Sequence, residues 1–362
     1  MKIGVLGSGQ LGRMLALSAY PLGHQMSFLA SSEEDPSSLL GNTFIQNGSQ
    51  EIIEEFAKNS DVVTYESENT AVSIVKEISQ KTMVYPSAKS LYTSQHRGRE
   101  KSLFDKLNIP CAPYHMVNNL SELKIAVEKI GLPAILKTAT DGYDGKGQFL
   151  IQSDSQLDQA WKSMSGVESI LEGFVNFKRE LSLVAVRGVD NSHEYYPLVE
   201  NSHHNGILRL TIAPAQNISP KLQQQAESYM RSLLDEMNHV GVLTIELFET
   251  DNNLVVNEMA PRVHNSGHWT IEGARTSQFE NHIRAITETP LGDTSCTHKY
   301  SAMINIIGEQ GPIDKALTLK NAHLHLYNKT EREGRKLGHI TITANTLDDL
   351  NTSLETLSDF MP

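Results

Sequence analysis

Two glutamates, Glu246 and Glu258, stand where metal chemistry would need them. The runs 242–249 and 254–259 are apolar or alternating and flank Asp251-Asn252-Asn253, which reads as a hairpin turn. A three-residue loop sets Thr250 opposite Leu254, and the ladder then sets Glu246 opposite Glu258 on one face. Like charges facing each other across a ladder repel. At ~4 Å the cost is roughly 1 kcal/mol in water and several times that in a partly buried cleft. A divalent cation between them turns that cost into attraction. Oxygen ligands with few protein contacts suit magnesium held jointly by substrate phosphates. Asn257 adds a ligand or a hydrogen bond. The alternative is an exposed face with two solvated glutamates, and a register slip of one residue removes the pairing.

The second run continues into Ala260-Pro261-Arg262-Val263-His264-Asn265-Ser266-Gly267-His268-Trp269. Arginine grips an anion bidentately. His264 and Asn265 add donors beside it, a set suited to a carboxylate or bicarbonate. The bland reading is a capped loop around a satisfied histidine.

Upstream, Lys137 interrupts the apolar run 134–138, where an unpaired lysine is costly. The loop Gly142-Tyr143-Asp144-Gly145-Lys146-Gly147-Gln148 follows, with strands expected on both sides. It lacks the glycine-lysine-hydroxyl run of a Walker loop. A glycine-rich strand–loop–strand folds over phosphates through backbone N–H groups and lysines. A plain hairpin is the competing reading, and Lys137 tips the balance towards a nucleotide.

Gly7-x-Gly9-x-x-Gly12 follows a strand and opens a helix, as a dinucleotide fingerprint does. A nicotinamide binder also places an acid at the end of its second strand, and here Glu33 and Glu34 lie beyond it. A dehydrogenase is therefore a minor alternative, beside glycines that serve helix–strand packing or the approach of a polar ligand. Glu66 and Glu68 follow the strand at 62–64 and are candidates to face the same crevice, with solvated surface acids an equally good reading.

These residues need elements to hold them. Alternating strands and helices over the first 90 or so residues predict a parallel α/β layer. Helices are expected at 97–107 and 121–130. A strand-rich middle follows, with runs at 134–138, 148–152, 169–174, 180–187 and 194–199, then a long helix at 220–237. Strands at 301–307, 323–327 and 338–343 and a helix at 347–359 close the chain. The 362 residues suit two or three domains, with boundaries near 97 and 295. Lysine and arginine total 31 against 43 acids, a net charge of −12, which argues against a nucleic-acid partner. Two distant cysteines, Cys111 and Cys296, give neither a disulfide framework nor a zinc spacing. No apolar run approaches a membrane span of about 18 residues. The chain reads as cytoplasmic, with no membrane partner.

The quoted glycine motif with Arg13-Met14, the 142–148 loop, the run from Asn257 to Trp269 and Gly334-Arg335-Lys336-Leu337-Gly338-His339 together resemble the 5-(carboxyamino)imidazole ribonucleotide synthases, ATP-grasp ligases of purine biosynthesis. The resemblance implies a mixed α/β and α+β fold: an N-terminal parallel α/β domain (1–96), a two-lobed ATP-grasp core (97–294, lid lobe about 115–175) and a small β-rich C-terminal domain (295–362). It implies ATP and Mg2+ as cofactors, bicarbonate and aminoimidazole ribonucleotide as substrates, and a homodimer. Carried onto matching positions, Lys137 and 142–148 contact the phosphates. Glu172 and Val175 hold the adenine and Glu180 the ribose, while Arg97, His203 and Asn257 line the nucleotide site. Glu246 and Glu258 match the metal ligands, and Arg262, His264 and Asn265 the bicarbonate corner. Gln10, Tyr143, Asp144, Lys329, Arg335 and Lys336 face the ribonucleotide. Residues 329–336 carry a net charge of +2 to receive its phosphate, although the stretch around Arg332 departs from the family pattern. Asp144 is a candidate proton carrier, and 142–147 a lid that keeps water from a labile acyl phosphate. The competing functions are an ATP-grasp ligase using another carboxylate and a non-catalytic nucleotide-binding protein.

Overall fold

The structure is a computed structural model that describes residues 1–142, 147–251 and 253–361. Its first layer is five parallel strands in the order Asn42–Ile45, Gln25–Ala30, Lys2–Leu6, Val62–Tyr65, Met83–Val84. Both faces are apolar because both are covered, as parallel sheets require. Ile3, Val5 and Phe28 pack on the helix Gln10–Ala19, whereas Leu6, Leu29 and Val63 pack with Phe56 and Ile78 from the helices on the other side. The short strands at 42–45 and 83–84 and the helix Val72–Ile78 carry too few periodic residues to have been expected from sequence.

A small antiparallel sheet occupies the stretch expected to be the lid lobe, in the order Tyr114–Val117, Ser169–Gly173, Ala134–Thr138, Gln148–Ile151. The helices Leu120–Ile130 and Leu157–Ser163 bury Leu123, Val127 and Leu157 against it. Asn119 starts the first of them by accepting the Glu122 N–H, and Gly131, at φ 86°, ends it.

The third sheet is large and antiparallel. Its order is Leu254–Ala260, Gly241–Glu249, Arg179–Arg187, Val199–His204, Ile207–Ala213, Tyr300–Ile307, Lys336–Ala344, Ala322–Leu326, with His193–Tyr195 on the side of Arg179–Arg187. The strands near the C-terminus thus continue the core sheet: Ile212 pairs with Ala302 and Leu210 with Ile304. One face packs Leu181, Leu183, Leu243 and Ile245 on the long helix Pro220–Met237. The opposite face carries the polar residues described below.

The expected strand at 194–199 is corrected. Pro197 offers no N–H to a ladder, so the run divides into His193–Tyr195 and Val199–His204. The strand Ile207–Ala213, unforeseen, follows through Asn205 (φ 51°) and Gly206 (φ 75°), an Asn-Gly turn of the kind favoured in two-residue hairpins. Among the described residues, no helix is long and apolar enough to cross a membrane.

Candidate active site

The proposed metal strand folds differently from the simple hairpin. Near the turn, Glu249 pairs with Leu254, Phe248 with Val255 and Leu247 with Val256, one residue out of the expected register. A β-bulge then takes up Asn257, and beyond it Glu246 faces Glu258 after all. Glu246 lies deeper, with 19% of its side chain exposed against 39% for Glu258. Burial and then the charge of Glu258 raise the Glu246 carboxyl above its usual range. Burial acts on Glu258 too, but Arg97, with Nη1 2.8 Å from Oε2, holds it below the usual range. No cluster of three or more His, Cys, Asp or Glu side chains is placed to hold a metal among the described residues. The pair alone is an incomplete shell, of the sort that phosphate oxygens and water complete around magnesium.

Two buried lysines converge beside it. Lys137 Nζ donates to Glu172 Oε2 at 3.0 Å, and Lys101 Nζ lies 3.5 Å from the same oxygen. Burial pushes Glu172 up, yet the two lysines bring it down to about 2. Glu172 Oε1 is buried with no hydrogen-bond partner. Buried acceptors are nearly always satisfied, so this oxygen suits an incoming donor. Glu172 precedes the connection that carries half-buried Val175 from the lid lobe into the strand Arg179–Arg187. On that strand Glu180 lies opposite Phe248 and Ser182 opposite Glu246, so all four share a face. His203 Nδ1 is 2.8 Å from Glu180 Oε2. Phe177 stacks on Phe248 with ring centroids 4.6 Å apart, an apolar shelf next to the polar row. Arg97 Nη2 donates to the carbonyl of Gly142 at 3.3 Å, and Gly147, at φ 68°, accepts the Thr138 N–H. Gln148 opens the last lid strand. Tyr143, Asp144, Gly145 and Lys146 lie outside the described residues.

The Arg262 corner holds a surprise in its pairing. The guanidinium fork grips Glu68: Nη2 donates to Oε1 at 2.7 Å and Nε to Oε2, while Nη1 donates to the Val263 carbonyl. Burial raises Glu68, but Arg262 overcomes this and holds it at about 2. His264 joins the corner to the metal pair, with Nδ1 2.8 Å from Ser266 Oγ and Nε2 3.4 Å from Glu246 Oε1. Burial and Arg262 push its imidazole down to about 3, so it is neutral. Asn265 Nδ2 and Oδ1 are both buried without partners. Below them runs a buried polar ladder: Ser182 Oγ donates to Ser266 Oγ, Asn201 Nδ2 to Ser182 Oγ and Thr211 Oγ1 to Asn201 Oδ1, at 2.7, 3.0 and 2.9 Å.

The N-terminal glycines have a different tenant from a dinucleotide. The carboxylate of Glu66 accepts the N–H groups of Gly9 and Gly12 and so caps the helix Gln10–Ala19. A Cβ on Gly7 would lie 2.6 Å from the Glu66 carboxyl and one on Gly9 2.9 Å away. The motif makes room for a protein carboxylate where a pyrophosphate would sit, which removes the dehydrogenase reading. A cleft of about 560 Å³ opens beyond the carboxyl ends of the parallel strands, lined by Gly7, Ser8, Glu66, Asn69, Lys329 and Arg335. Lys329 donates to Gln10 Oε1 and Arg335 to Thr330, and burial with the charge of Arg335 lowers the Lys329 ammonium to about 8. Lys336 acts on Lys329 as well, and its charge also reaches Glu246, His264 and His268. Arg332 is exposed.

Residues that sequence reading missed include Glu100, Lys101 and the Ser182–Asn201–Thr211 ladder. The spacing 97, 100, 101 on a helix and 180, 182 on a strand were the available signals.

Three family models cover most of the chain: a ribonucleotide synthetase preATP-grasp domain at 1–95, an ATP-grasp domain at 102–279 and a phosphoribosylaminoimidazole carboxylase C-terminal domain at 301–353. The chain is 46% identical over 343 residues to an N5-carboxyaminoimidazole ribonucleotide synthase of Pseudomonas aeruginosa, covering 94% of each. A solved N5-carboxyaminoimidazole ribonucleotide synthetase from Thermus thermophilus superposes with a TM-score of 0.94 at 45% identity, over 99% of this chain and 98% of the other. An N5-carboxyaminoimidazole synthase from Aspergillus clavatus, solved with ADP and 5-aminoimidazole ribonucleotide, gives a TM-score of 0.92 at 34% identity over 99% of this chain and 98% of the other.

Proposed function

The chain belongs to the N5-carboxyaminoimidazole ribonucleotide synthases, ATP-grasp ligases that carboxylate 5-aminoimidazole ribonucleotide with ATP in purine biosynthesis, and from that premise we propose how its residues divide the work. The supporting observation is the facing pair Glu246 and Glu258 beside Lys137 and the unpartnered amide of Asn265. The two carboxylates fit Mg2+, because burial and then the facing charge of Glu258 raise Glu246, and a bound cation would offset both. When bound, the ion supplies positive charge to the transferring phosphoryl oxygens.

The chain's own groups do the rest. Glu172 Oε1 accepts from the adenine amino group, with Val175 and the Phe248 shelf against the ring and Glu180 and His203 at the ribose. Lys137 and Arg97 neutralise phosphate charge. Asn265 and neutral His264 orient bicarbonate, while Arg262 lends charge from its fixed pairing with Glu68. A bicarbonate oxygen bonds to the γ-phosphorus, the bond to the bridging oxygen breaks, and ADP leaves. The substrate amine then attacks the carbonyl carbon of the carboxyphosphate, phosphate departs and the amine gives up a proton. Asp144 is the proposed acceptor of that proton. The ribonucleotide lies in the cleft with its phosphate towards Lys329 and Arg335, while Lys336 supports the corner near His264. A homodimer in the cytoplasm completes the proposal.

ADP release measured with and without bicarbonate and the ribonucleotide tests the whole. We expect turnover only with both, and formate in place of bicarbonate to give none; equal turnover with formate would overturn the choice of carboxylate. Lys329→Ala is expected to raise the KM for the ribonucleotide about tenfold and leave kcat within about twofold, the mark of a ground-state contact. A collapsed kcat at unchanged KM would remove Lys329 from that role.

A further inference from the structure

One face of the helix Arg97–Lys106 grips Glu258 from its backbone to its tip. Arg97, Glu100 and Lys101 follow the i, i+3, i+4 spacing that aligns side chains on a helix. Arg97 takes the carboxylate, as described. Glu100 Oε1 accepts the N–H of Met259 at 2.6 Å, and Lys101 Nζ donates to the carbonyl of Asn257 at 2.7 Å. The peptide groups on both sides of Glu258 are therefore held by consecutive residues of one helix. Glu100 is 2% exposed and Lys101 fully buried, so neither contact competes with water.

These contacts fall where the ladder is irregular. Leu254–Ala260 ends the large sheet, and among the described residues its outer side meets only the isolated bridge from Cys111 to Val256. Its free backbone groups find other partners: Val256 N–H donates to the Pro110 carbonyl at 2.8 Å, and the Asn257 carbonyl and Met259 N–H go to Lys101 and Glu100. Asn257 is the residue taken up by the bulge. Without the bulge, the register near the turn would carry on, and Glu246 would face Asn257 rather than Glu258.

We propose that Glu100 and Lys101 are positioning residues that pin the bulge at Asn257 and thereby set Glu258 opposite Glu246. Lys101 also reaches Glu172, so one buried ammonium ties the metal strand to the nucleotide-binding carboxylate of the lid lobe. The inference rests on the reading of Glu246 and Glu258 as the metal pair.

The test titrates manganese(II), followed by its electron paramagnetic resonance, against the full-length protein with ADP, for the parent, Lys101→Met, Glu100→Leu, Glu100→Gln and Glu258→Gln. Partners behind metal ligands typically change affinity about 10–100-fold, and we expect a loss of that size in Lys101→Met and Glu100→Leu. Glu100→Gln keeps an oxygen for the Met259 N–H and should fall far less than Glu100→Leu. Hydrogen–deuterium exchange at the Met259 amide should quicken in Glu100→Leu, and the KM for the ribonucleotide should stay within about twofold in both weakened variants. Parent-like manganese affinity in Lys101→Met and Glu100→Leu, with Glu258→Gln weakened, would overturn the positioning role. Parent-like affinity in Glu258→Gln would instead overturn the metal reading beneath it.

Discussion

Glu258→Gln is expected to lower kcat about 10³-fold, close to 4 kcal/mol of transition-state stabilisation, while the protein stays folded. The substitution keeps the shape of the side chain and an oxygen for Arg97, and removes only the charge. Two effects on stability oppose each other. Repulsion with Glu246 disappears, and the Arg97 contact loses its ionic part. The thermal midpoint should therefore move little. ADP release at saturating ATP, titrated with magnesium, gives the result directly. Full activity with an ordinary magnesium dependence would sink the assignment of this residue.

Arg262→Met should behave in the opposite manner, with a stability loss as large as its effect on activity. The guanidinium is matched to Glu68 by two hydrogen bonds in a partly buried setting. Removing one partner strands a carboxylate that is still 30% exposed, which costs roughly 1–3 kcal/mol. Urea unfolding measures it. The double variant Arg262→Met with Glu68→Gln should regain much of the loss, because the stranded charge has gone. If Arg262→Met unfolds like the parent and only the KM for bicarbonate rises, the arginine serves the substrate and the pairing with Glu68 is incidental.

The facing glutamates were legible in the sequence, although the ladder that pairs them is not regular. A regular ladder counted back from the turn names the correct pair, whereas the real ladder begins one residue out and recovers at Asn257. A bulge leaves no local mark in composition; it is imposed by the helix at 97–106, more than 150 positions earlier in the chain. The glycine motif was legible as a place of close approach. What approaches is Glu66, from a strand end where facing that crevice and lying on the surface are equally good readings of the sequence. Arg262 was legible as an anion holder, but its anion is a side chain of another layer. The Asn205-Gly206 turn carries a plain hairpin signal, and it joins Val199–His204 to Ile207–Ala213 rather than following the apolar run expected at 194–199. Long-range partners account for the other gaps: single-chain patterns reveal which residues are polar and on what face, and tertiary packing decides whom they meet.

The pairing of Ile207–Ala213 with Tyr300–Ile307 has a mechanical corollary. The strand that leads out of the Lys329–Lys336 stretch and the strand bearing Glu258 belong to one hydrogen-bonded fabric, whereas the lid lobe is woven separately. The span between the proposed ribonucleotide anchor and the carboxylate pair is thus a fixed gauge, set by one sheet and independent of the smaller one. The same seam forbids trimming: a chain cut before Tyr300 would bare the flank of Ile207–Ala213 in the middle of the platform, so the last sixty or so residues act as a girder rather than an appendix.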